Sequence, residues 1–386
     1  MKILVVGMCD SVHTVRWISQ FKGTNISFQL FPSTPHRRLH PGLRSLLNEK
    51  QKPFVFMRGT DRRTALLFGI MDLLIGRRLQ AHRIRKLVQS EAFDLIHLFE
   101  TQHAGYLFEV VTRKMRVAIP VGLSVWGRDF HWYGREVRHR ELISRCLRTI
   151  DFLFVEGARD EILARNYGFV GLSSKPISAG GGVGSDETLS VRPSQIPPSR
   201  RKKIVVKGYS GRVGRASLSL KALLALQDLL CEYQIHVYSC SYWMTIRILV
   251  LRFQSNLKIY SYRKKTLSHD EILELFLHSR VSLSLMMSDG LPGSFREAVW
   301  TGAFPIESIG SCINEWVDDE CQVRLVNPDN FSSVVNALSV ALTDSRMVDM
   351  AHVANTELAK TLSIESVRNQ ALQEYERFGK MMKVRS

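Results

Sequence analysis

Short apolar runs alternate with amphipathic, helix-like segments along almost the whole chain. They occupy residues 2–6, 27–31, 94–98, 121–125 and 152–155 in the first half. In the second half they occupy residues 203–206, 234–238, 257–260, 281–285 and 304–306. Such runs between helical segments are typical of βαβ units, in which parallel strands are buried on both faces. The pattern therefore predicts an α/β fold built on parallel sheets.

The length of the chain predicts two domains, because 386 residues exceed what one ordinary core accommodates. The alternation breaks at residues 180–200, GGGVGSDETLSVRPSQIPPSR, where Gly, Pro and Ser dominate. We predict an N-terminal domain at residues 1–185, a linker at 186–202 and a C-terminal domain at 203–365. A C-terminal helix at residues 366–386 is expected to return to the first domain.

The chain is strongly basic, with a net charge of +17, and most of the excess lies in residues 1–200. Such a field attracts an anionic membrane surface, an anionic lipid-linked substrate or nucleic acid. The sequence contains no aromatic-interleaved RNA-binding motif, zinc finger or basic zipper, so we expect no nucleic-acid partner.

The cysteines are scattered, with no C-x-x-C pair and no Cys/His cluster at zinc spacing. Nor is there an Asp-x-Asp motif, so we expect neither a metal nor a resident cofactor. The N-terminal MKILVVGMCD enters a strand at once, without the apolar region of a signal peptide. These features predict a location in the reducing cytoplasm.

The longest apolar stretch is TALLFGIMDLLIG at residues 64–76, which contains Asp72. As a helix it would span only about 20 Å, less than the ~30 Å hydrocarbon core of a bilayer. Arginine pairs flank it on both sides. Two interpretations stay open: a buried core helix with solvated ends, or a helix lying peripherally on the inner, anionic face of the plasma membrane.

The segment SDGLPGSFREA at residues 288–298 follows a strand-like run. Its glycines and proline predict a tight turn, and a helix is expected to begin at Ser294. Backbone N–H groups at a helix start bind phosphate well. Asp289 and Glu297 place two carboxylates eight residues apart, where one can meet sugar hydroxyls and the other ribose hydroxyls.

Together with GAFPI at residues 302–306, EWVDD at 315–319 and LVNP at 325–328, this segment resembles the retaining family-four glycosyltransferases of the GT-B fold. The resemblance implies two Rossmann-like domains facing a cleft, with acceptor on the first and nucleotide sugar on the second. Asp289 stands where the family usually has Glu, and Glu297 matches the position that holds the donor ribose. The donor-loop residues implied are Gly290, Leu291, Pro292, Gly293, Ser294 and Glu297.

The activity implied is a hexosyl transfer from a UDP- or GDP-linked sugar, with retention of anomeric configuration. The basic first half of the chain favours a glycan or lipid-linked acceptor of the kind used in surface polysaccharide biosynthesis. Two alternatives stay open. One is a nucleotide-sugar epimerase or hydrolase on the same frame. The other is a non-catalytic sugar-nucleotide binding protein. It is suggested by two positions at which this sequence departs from the pattern of the family, Asp289 in place of Glu and Trp126 in place of a His.

A second motif, KIVVKGYSGRVGRASLSLKAL at residues 203–223, joins a strand to a helix through a basic, glycine-bearing loop. Lys207, Arg212 and Arg215 could neutralise a diphosphate, while Gly208 would let the backbone approach it. By resemblance, this loop replaces the basic pair that grips the donor diphosphate in the family. A solvated basic loop is the alternative.

Three loops of the first half are candidates for the acceptor side. GMCDSVHTVRW at residues 7–17 carries Asp10 and His13 and lacks the G-x-G-x-x-G dinucleotide fingerprint, which argues against NAD. FDLIHLFETQHAGYL at residues 93–107 carries His97, Glu100 and His103, and VGLSVWGRDF at residues 121–130 carries Trp126 and Asp129.

Trp126 stands where several relatives of the resembled family place a catalytically helpful His. His103 or His131 could take that role, although a lone His is more often an ordinary surface or core residue. The catalytic candidates are therefore Asp289, Glu297 and His103, with Asp10, His13, Trp126 and Asp129 on the acceptor side.

Overall fold

The structure, a computed structural model, describes residues 1–34, 39–46, 62–184, 196–264, 266–317 and 320–385. It divides into two compact units, one of Met1–Gly182 with Val367–Ser386 and one of Val183–Ser366. Each unit contains a six-stranded sheet. Most of the predicted linker, up to residue 195, and the last two residues of the EWVDD motif lie outside the described residues.

The first unit is built on an entirely parallel sheet in the order β2-β1-β3-β4-β5-β6. Its strands are β1 (Lys2–Gly7), β2 (Ser27–Pro32), β3 (Leu95–Phe99), β4 (Val121–Ser124), β5 (Phe152–Phe154) and β6 (Leu172–Ser173). Burial on both faces explains their continuous apolar sequences. In β1, Leu4 and Val6 enter one apolar cluster, and Ile3 and Val5 enter the cluster on the opposite face.

Helices connect these parallel strands, as crossovers between parallel strands require. They are α1 (Val12–Ser19), α2 (Pro41–Leu46), α3 (Arg62–Leu74), α4 (Arg78–Ser90), α5 (Tyr106–Thr112), α6 (Val137–Leu147) and α7 (Ala158–Asn166). A π-helical turn, Glu100–Gly105, joins β3 to α5, and a 3₁₀ turn, Tyr133–Arg135, precedes α6.

The second unit repeats the plan with a parallel sheet in the order β12-β11-β10-β7-β8-β9. Its strands are β7 (Lys203–Lys207), β8 (Gln234–Cys240), β9 (Lys258–Arg263), β10 (Ser279–Ser284), β11 (Phe304–Ser308) and β12 (Arg324–Val326). Its helices are α8 (Ala216–Ala225), α9 (Tyr242–Gln254), α10 (His269–Leu277), α11 (Gly293–Thr301), α12 (Phe331–Thr343) and α13 (Ser345–Thr361).

The predicted α/β class is confirmed, and all ten predicted strands are present within a few residues of their expected ends. Short strands β6 and β12 were not predicted, because two or three residues are too few to show a period. The sequence Ser-His-Asp-Glu at residues 268–271 has the S-x-x-E pattern that predicts a capping box. The box is present: Ser268 Oγ accepts from the Glu271 N–H at 3.2 Å, and Glu271 Oε2 accepts from the Ser268 N–H at 2.7 Å. It fixes the start of α10, and so the approach to β10.

The last helix, α14 (Ile364–Arg385), supplies part of the first unit's core. Val367, Ala371, Tyr375 and Phe378 recur at helical spacing and all belong to the apolar cluster that contains Trp17. Phe378 stacks on the ring of Phe152, with ring centroids 4.0 Å apart. The expectation that a C-terminal helix packs back on the first domain is therefore confirmed.

A buried polar chain ties α14 to the first sheet. The indole Nε1 of Trp17 donates to the Tyr375 hydroxyl at 2.9 Å, and that hydroxyl lies 2.7 Å from His97 Nδ1. His97 Nε2 lies 2.8 Å from Ser124 Oγ, and burial lowers the pKa of His97 to about 3. The imidazole is therefore neutral, so Tyr375 can donate to Nδ1 while Nε2–H donates to Ser124. His97 is therefore a core residue, and its buried side chain is not available to a ligand.

Helix α3 does not behave as a core helix. Leu73 is 68% exposed and Leu74 is 81% exposed, while Asp72 is buried and accepts a hydrogen bond from the Leu79 N–H at 2.8 Å. The exposed apolar set comprises Leu67, Ile70, Met71, Leu73 and Leu74. The buried-core interpretation of this stretch is therefore wrong for its described side chains. No helix in the described part of the chain has both the length and the apolar character needed to cross a bilayer.

Replacing Tyr375 by Phe should lower the free energy of unfolding by about 1–3 kcal/mol, because the Trp17 N–H then lacks its buried acceptor. Chemical denaturation measures the change. Tyr242→Phe, at a hydroxyl-bearing side chain that is 63% exposed, is the matched control and should leave stability unchanged. Equal stabilities of Tyr375→Phe and wild type would show that the polar chain does not anchor α14.

Candidate functional site

The order of strands in the second sheet reverses direction between β7 and β10. In open parallel sheets, ligands bind beyond the carboxyl ends of the strands at such a switch point, where the two following loops diverge and leave a crevice. The loop after β7 is the predicted basic loop, and the loop after β10 is the predicted donor loop. The topology therefore brings both second-half motifs to one edge of one sheet.

Backbone hydrogen bonds fasten the basic loop to the segment that leads into the donor loop. The Arg215 N–H donates to the Leu285 carbonyl at 2.9 Å, and the Met287 N–H donates to the Val213 carbonyl at 2.8 Å. Within the loop, a Cβ on Gly214 would lie 2.3 Å from the carbonyl oxygen of Tyr209, so only glycine fits there. The two motifs are thus held side by side by main-chain contacts.

Lys207, at the end of β7, is the central cation of this edge. Its Nζ lies 3.6 Å from Asp289 Oδ2, and both side chains are largely buried. Burial, the largest single influence, lowers the pKa of Lys207. The negative charge of Asp289, together with the smaller effects of Tyr209, Glu307 and Glu297, raises the pKa by more than burial lowers it. The pKa therefore ends above its ordinary value. Lys207 therefore stays charged at neutral pH.

Two residues next to Lys207 were missed by the sequence analysis. The ring of Tyr209 contacts two ammonium groups, with its centroid 5.2 Å from Lys207 Nζ and 5.7 Å from Lys264 Nζ. Such cation–π contacts hold flexible lysine side chains in place. Tyr209 was visible as an aromatic residue inside the basic loop. Lys264 follows β9, far along the chain, and gave no signal.

The donor loop is shaped by contacts with the segment after β11. The Asp289 N–H donates to the Gly310 carbonyl at 3.2 Å, and the Cys312 N–H donates to the Gly290 carbonyl at 2.9 Å. The turn leads into α11, which begins at Gly293, one residue earlier than predicted, with Pro292 as its N-cap. Pro292 makes no side-chain capping hydrogen bond, so no side chain of the cap residue covers the helix start.

The side chains of Leu291 and Ser294 point away from solvent. Leu291 is 3% exposed and packs in an apolar cluster with Phe295 and Ile313. Ser294 Oγ donates to Ser284 Oγ at 3.0 Å. The buried side chains of these two residues therefore anchor the loop to the core. Only their backbone groups are available to a ligand.

Glu307, on β11, lies beneath the loop and was not predicted as a site residue. It is 1% exposed, and burial raises its pKa to about 8, against the opposing charge of Lys207 and hydrogen bonding with Ser294 and Ser284. Near neutral pH this carboxyl is therefore largely protonated, which leaves Asp289 as the chief counterion of Lys207.

Glu297 lies on the first turns of α11 and is 5% exposed. Its Oε1 is 3.6 Å from Nδ1 of His269, the first residue of α10. The structure thus places one carboxylate of the predicted pair beside a lysine and the other beside a histidine. The signal for His269 was its position after the capping residue Ser268.

Of the three predicted diphosphate cations, Lys207 alone is deeply embedded. Arg215 Nε donates to Asp329 Oδ1 at 2.9 Å, and its Nη1 lies 3.2 Å from the Arg212 carbonyl oxygen, so it braces the loop. Arg212 is exposed. Gly208 is tightly packed, since a Cβ there would lie 2.7 Å from Cys240 Sγ.

In the first sheet the strand order reverses between β1 and β3. The loop after β1 carries Asp10 and His13, and the loop after β3 carries His103. The other predicted acceptor-side residues lie in the loop after β4. Ser11 caps α1 by accepting from the His13 N–H at 3.2 Å, which holds His13 at the helix start. The ring of His13 then lies 5.1 Å from that of Trp126, in the loop after β4. Asp10 lies two residues before α1, partly exposed.

Asp129 is buried and connects the loop after β4, in which it lies, to the loop after β3. Its Oδ2 accepts from the Thr101 N–H at 2.9 Å, from Thr101 Oγ1 at 3.1 Å and from the Trp126 N–H at 3.1 Å. With its carboxylate 3% exposed and occupied by the protein itself, Asp129 positions Trp126. The acceptor-side role of Asp129 stays a prediction, and the contacts of its carboxylate are those of a residue that positions its neighbours.

Glu100 has an unusual backbone and environment. It adopts φ +69° at the start of the π-helical turn, a conformation rare for residues other than glycine. Burial, together with the charge of Asp129, raises its pKa, and burial raises that of Asp129 as well. The Glu100 carboxylate accepts from the His103 N–H, and Arg77 Nη1 donates to the His103 carbonyl at 2.6 Å.

The histidines singled out in the sequence fall in different environments. The backbone of His103 is held at the carboxyl end of β3 by Glu100 and Arg77, and its side chain is partly exposed. His131 is half-buried, and burial together with Arg159 and Arg135 lowers its pKa to about 4. His131 is therefore neutral at physiological pH.

Comparison with solved structures shows that the chain has the GT-B fold. Anabaena HepE in complex with UDP and glucose is similar over 98% of this chain and 100% of its own, with TM-score 0.67 and 14% identity. Sucrose-phosphate synthase from Thermosynechococcus elongatus is similar over 98% of this chain and 98% of its own, with TM-score 0.68 and 13% identity.

A third similar structure, α,α-trehalose 6-phosphate synthase from Burkholderia multivorans, covers 99% of this chain and 98% of its own, with TM-score 0.65 and 12% identity. At these identities the similarity establishes the fold. No family model and no curated protein matches the sequence.

Glu307→Gln should change how stability depends on pH. In the unfolded chain this carboxyl ionises near its ordinary pKa of 4.5, whereas in the fold it holds its proton to about pH 8. The native state therefore binds more protons than the unfolded state between these values, and the wild type loses stability as pH rises through them.

The glutamine variant lacks this loss. Between pH 5 and 8 its free energy of unfolding should therefore fall less than that of the wild type, and the two falls should differ by on the order of 2–4 kcal/mol. Urea denaturation across that range measures the difference. Glu357→Gln, at a side chain that is 79% exposed, should keep the wild-type slope. If Glu307→Gln also keeps that slope, the carboxyl is ionised in the native state.

Proposed function

We propose that this protein is a glycosyltransferase that moves a sugar from a nucleoside-diphosphate donor to an acceptor hydroxyl. The observation that carries the proposal is the embedded Lys207–Asp289 pair at the switch point of the second sheet, beside the start of α11. The similar HepE structures were solved with UDP and with UDP-glucose, which supports a uridine-linked donor.

The donor would be held by opposite charges in fixed places. Lys207 supplies a positive charge for the diphosphate, and the N-terminus of α11 supplies backbone N–H groups and its dipole. Asp289 and Glu297 accept hydrogen bonds from sugar or ribose hydroxyls. Because these groups are already in position, they stabilise the charge that develops on the departing diphosphate without reorganising at the moment of reaction.

The transfer would retain anomeric configuration, as the resemblance of the donor loop implies. The bond between the anomeric carbon and the diphosphate oxygen breaks, and the acceptor oxygen bonds to the same face of the sugar. The hydroxyl proton leaves with the diphosphate. No protein nucleophile is needed, so catalysis rests on positioning and electrostatic stabilisation.

The acceptor would be a glycan or a lipid-linked glycan of the kind used in surface polysaccharide assembly. Support comes from the basic first half of the chain and from α3, whose described large apolar side chains are exposed rather than packed in the core. On this proposal α3 lies at an anionic membrane surface, peripherally and on its cytoplasmic side.

A thermal-shift panel of UDP-, GDP- and ADP-sugars identifies the donor, because a bound donor raises apparent stability according to its affinity. Product analysis by NMR with the stabilising donor then gives the anomer. We expect acceptor-dependent transfer with retention. Free monosaccharide or an epimer without any acceptor-dependent product would indicate the hydrolase or epimerase instead. Tight donor binding with no turnover would indicate a binding protein.

Lys207→Met should lower kcat/KM by about 10²–10³-fold, because removal of one preorganised positive charge from a charge-stabilising site typically has an effect of this size. Steady-state kinetics with the identified donor measures it. Lys221→Met, at an exposed position of α8, is the matched control and should keep wild-type kinetics. A folded Lys207→Met variant with unchanged kcat/KM would place the diphosphate elsewhere.

A further inference from the structure

Helix α9 carries an exposed apolar stripe that no step of the proposed reaction uses. Phe253 is 85% exposed and Trp243 is 77% exposed, values far from those of core residues. The full stripe comprises Tyr242, Trp243, Ile246, Leu249, Val250 and Phe253. Met244 and Ile248 face the other way and are buried in the core of the second unit. The helix is therefore apolar both towards the core and towards solvent.

Helical geometry arranges these exposed residues on one face. At 3.6 residues per turn they fall within an arc of about 120°, and the 13 residues of α9 extend it over about 20 Å. The exposed Arg247 lies just beyond one edge of the arc and the exposed Arg252 beyond the other. The helix contains no acidic residue. An apolar face bordered by cations, with aromatic side chains at both ends, is typical of a helix that lies in a membrane interface.

We propose that this face of α9 docks the second unit on an anionic membrane surface. The aromatic and aliphatic side chains would enter the boundary between headgroups and acyl chains, while Arg247 and Arg252 meet the lipid phosphates. The shape of the surface agrees with this occupant, because a convex helix face gives a small molecule no enclosed pocket.

Charge distinguishes a membrane from a second copy of the chain. Two copies packed about this stripe would bring arginines from both helices into the contact, with no carboxylate from either helix to pair with them. Anionic lipid supplies the missing negative charge. A membrane is therefore the occupant that the residues favour.

The position of α9 in the second unit gives docking a consequence. The helix begins directly after β8, and its N-cap Ser241 has Oγ 3.3 Å from Ser210 Oγ in the basic loop. The apolar stripe thus starts at the same sheet edge as the candidate donor site. Docking would bring that site close to the bilayer, where a lipid-linked acceptor lies. This consequence rests on the proposed function, whereas membrane binding by α9 does not.

Co-sedimentation tests docking with vesicles of phosphatidylcholine containing phosphatidylglycerol and with vesicles of phosphatidylcholine alone. The wild type should bind the anionic vesicles, and more weakly at high salt. The double variant Trp243→Ser, Phe253→Ser should bind about tenfold more weakly or worse. Val353→Ser, at a side chain of α13 that is 71% exposed, is the matched control and should bind as the wild type does. Unchanged binding by the double variant would overturn the proposal.

Hydroxyl-radical footprinting then locates the contact. Trp243 should lose reactivity on addition of anionic vesicles. Vesicle binding without protection of Trp243 would assign the contact to another surface and overturn the proposal. Protection that needs no vesicles and grows with protein concentration would identify a contact between copies and overturn it equally.

The double variant also separates docking from the proposed function. Because both replaced side chains are exposed, it should keep the wild-type melting temperature and the same thermal shift with the donor identified above. Membrane binding with no response to any nucleotide sugar would uphold the docking face and contradict the transferase.

Discussion

Both halves of this chain depend on one constraint, the burial of parallel strands on both of their faces. Parallel strands connected by helices all end at the same edge of the sheet, and the reversal of strand order there separates two neighbouring loops. In the second sheet those loops follow β7 and β10, and in the first they follow β1 and β3. The apolar core thus decides where polar chemistry can occur, while the residues in the loops decide which chemistry it is.

The second unit solves the problem of a cation near its core by surrounding Lys207 with groups that differ in charge. Asp289 forms an ion pair with Lys207, and the ring of Tyr209 makes a cation–π contact with it. The deeply buried Glu307 is neutral. A diphosphate arriving at this edge would meet an ammonium group already charged and restrained. In the first unit a buried carboxylate has a different role. Asp129 accepts hydrogen bonds from the backbone of Thr101 and Trp126, and so holds Trp126 beside His13.

Local patterns sufficed to predict the fold class, the capping box at Ser268 and the two motifs that meet at one sheet edge, because each is written within a few successive residues. Contacts between distant parts of the chain were beyond such patterns. The sequence did not show that Arg215 pairs with Asp329, or that His97, in a candidate loop, bonds to Tyr375. Glu307 lies within a strand, and nothing in the sequence near it indicates that its carboxyl is buried. The solvent-facing side of α3 could not be predicted, since periodicity does not say what covers an apolar face.

The place of α14 in the chain order bears on biosynthesis. The apolar cluster around Trp17 is completed by Val367, Ala371, Tyr375 and Phe378, which are made only after the whole second unit has been synthesised. A nascent first unit therefore emerges from the ribosome with an uncovered apolar groove and waits for its closing helix through about 180 further residues of translation. Until α14 is made, the first unit exposes apolar surface of the kind that chaperones bind, so the synthesis of α14 sets the moment at which the core of the first unit can be completed.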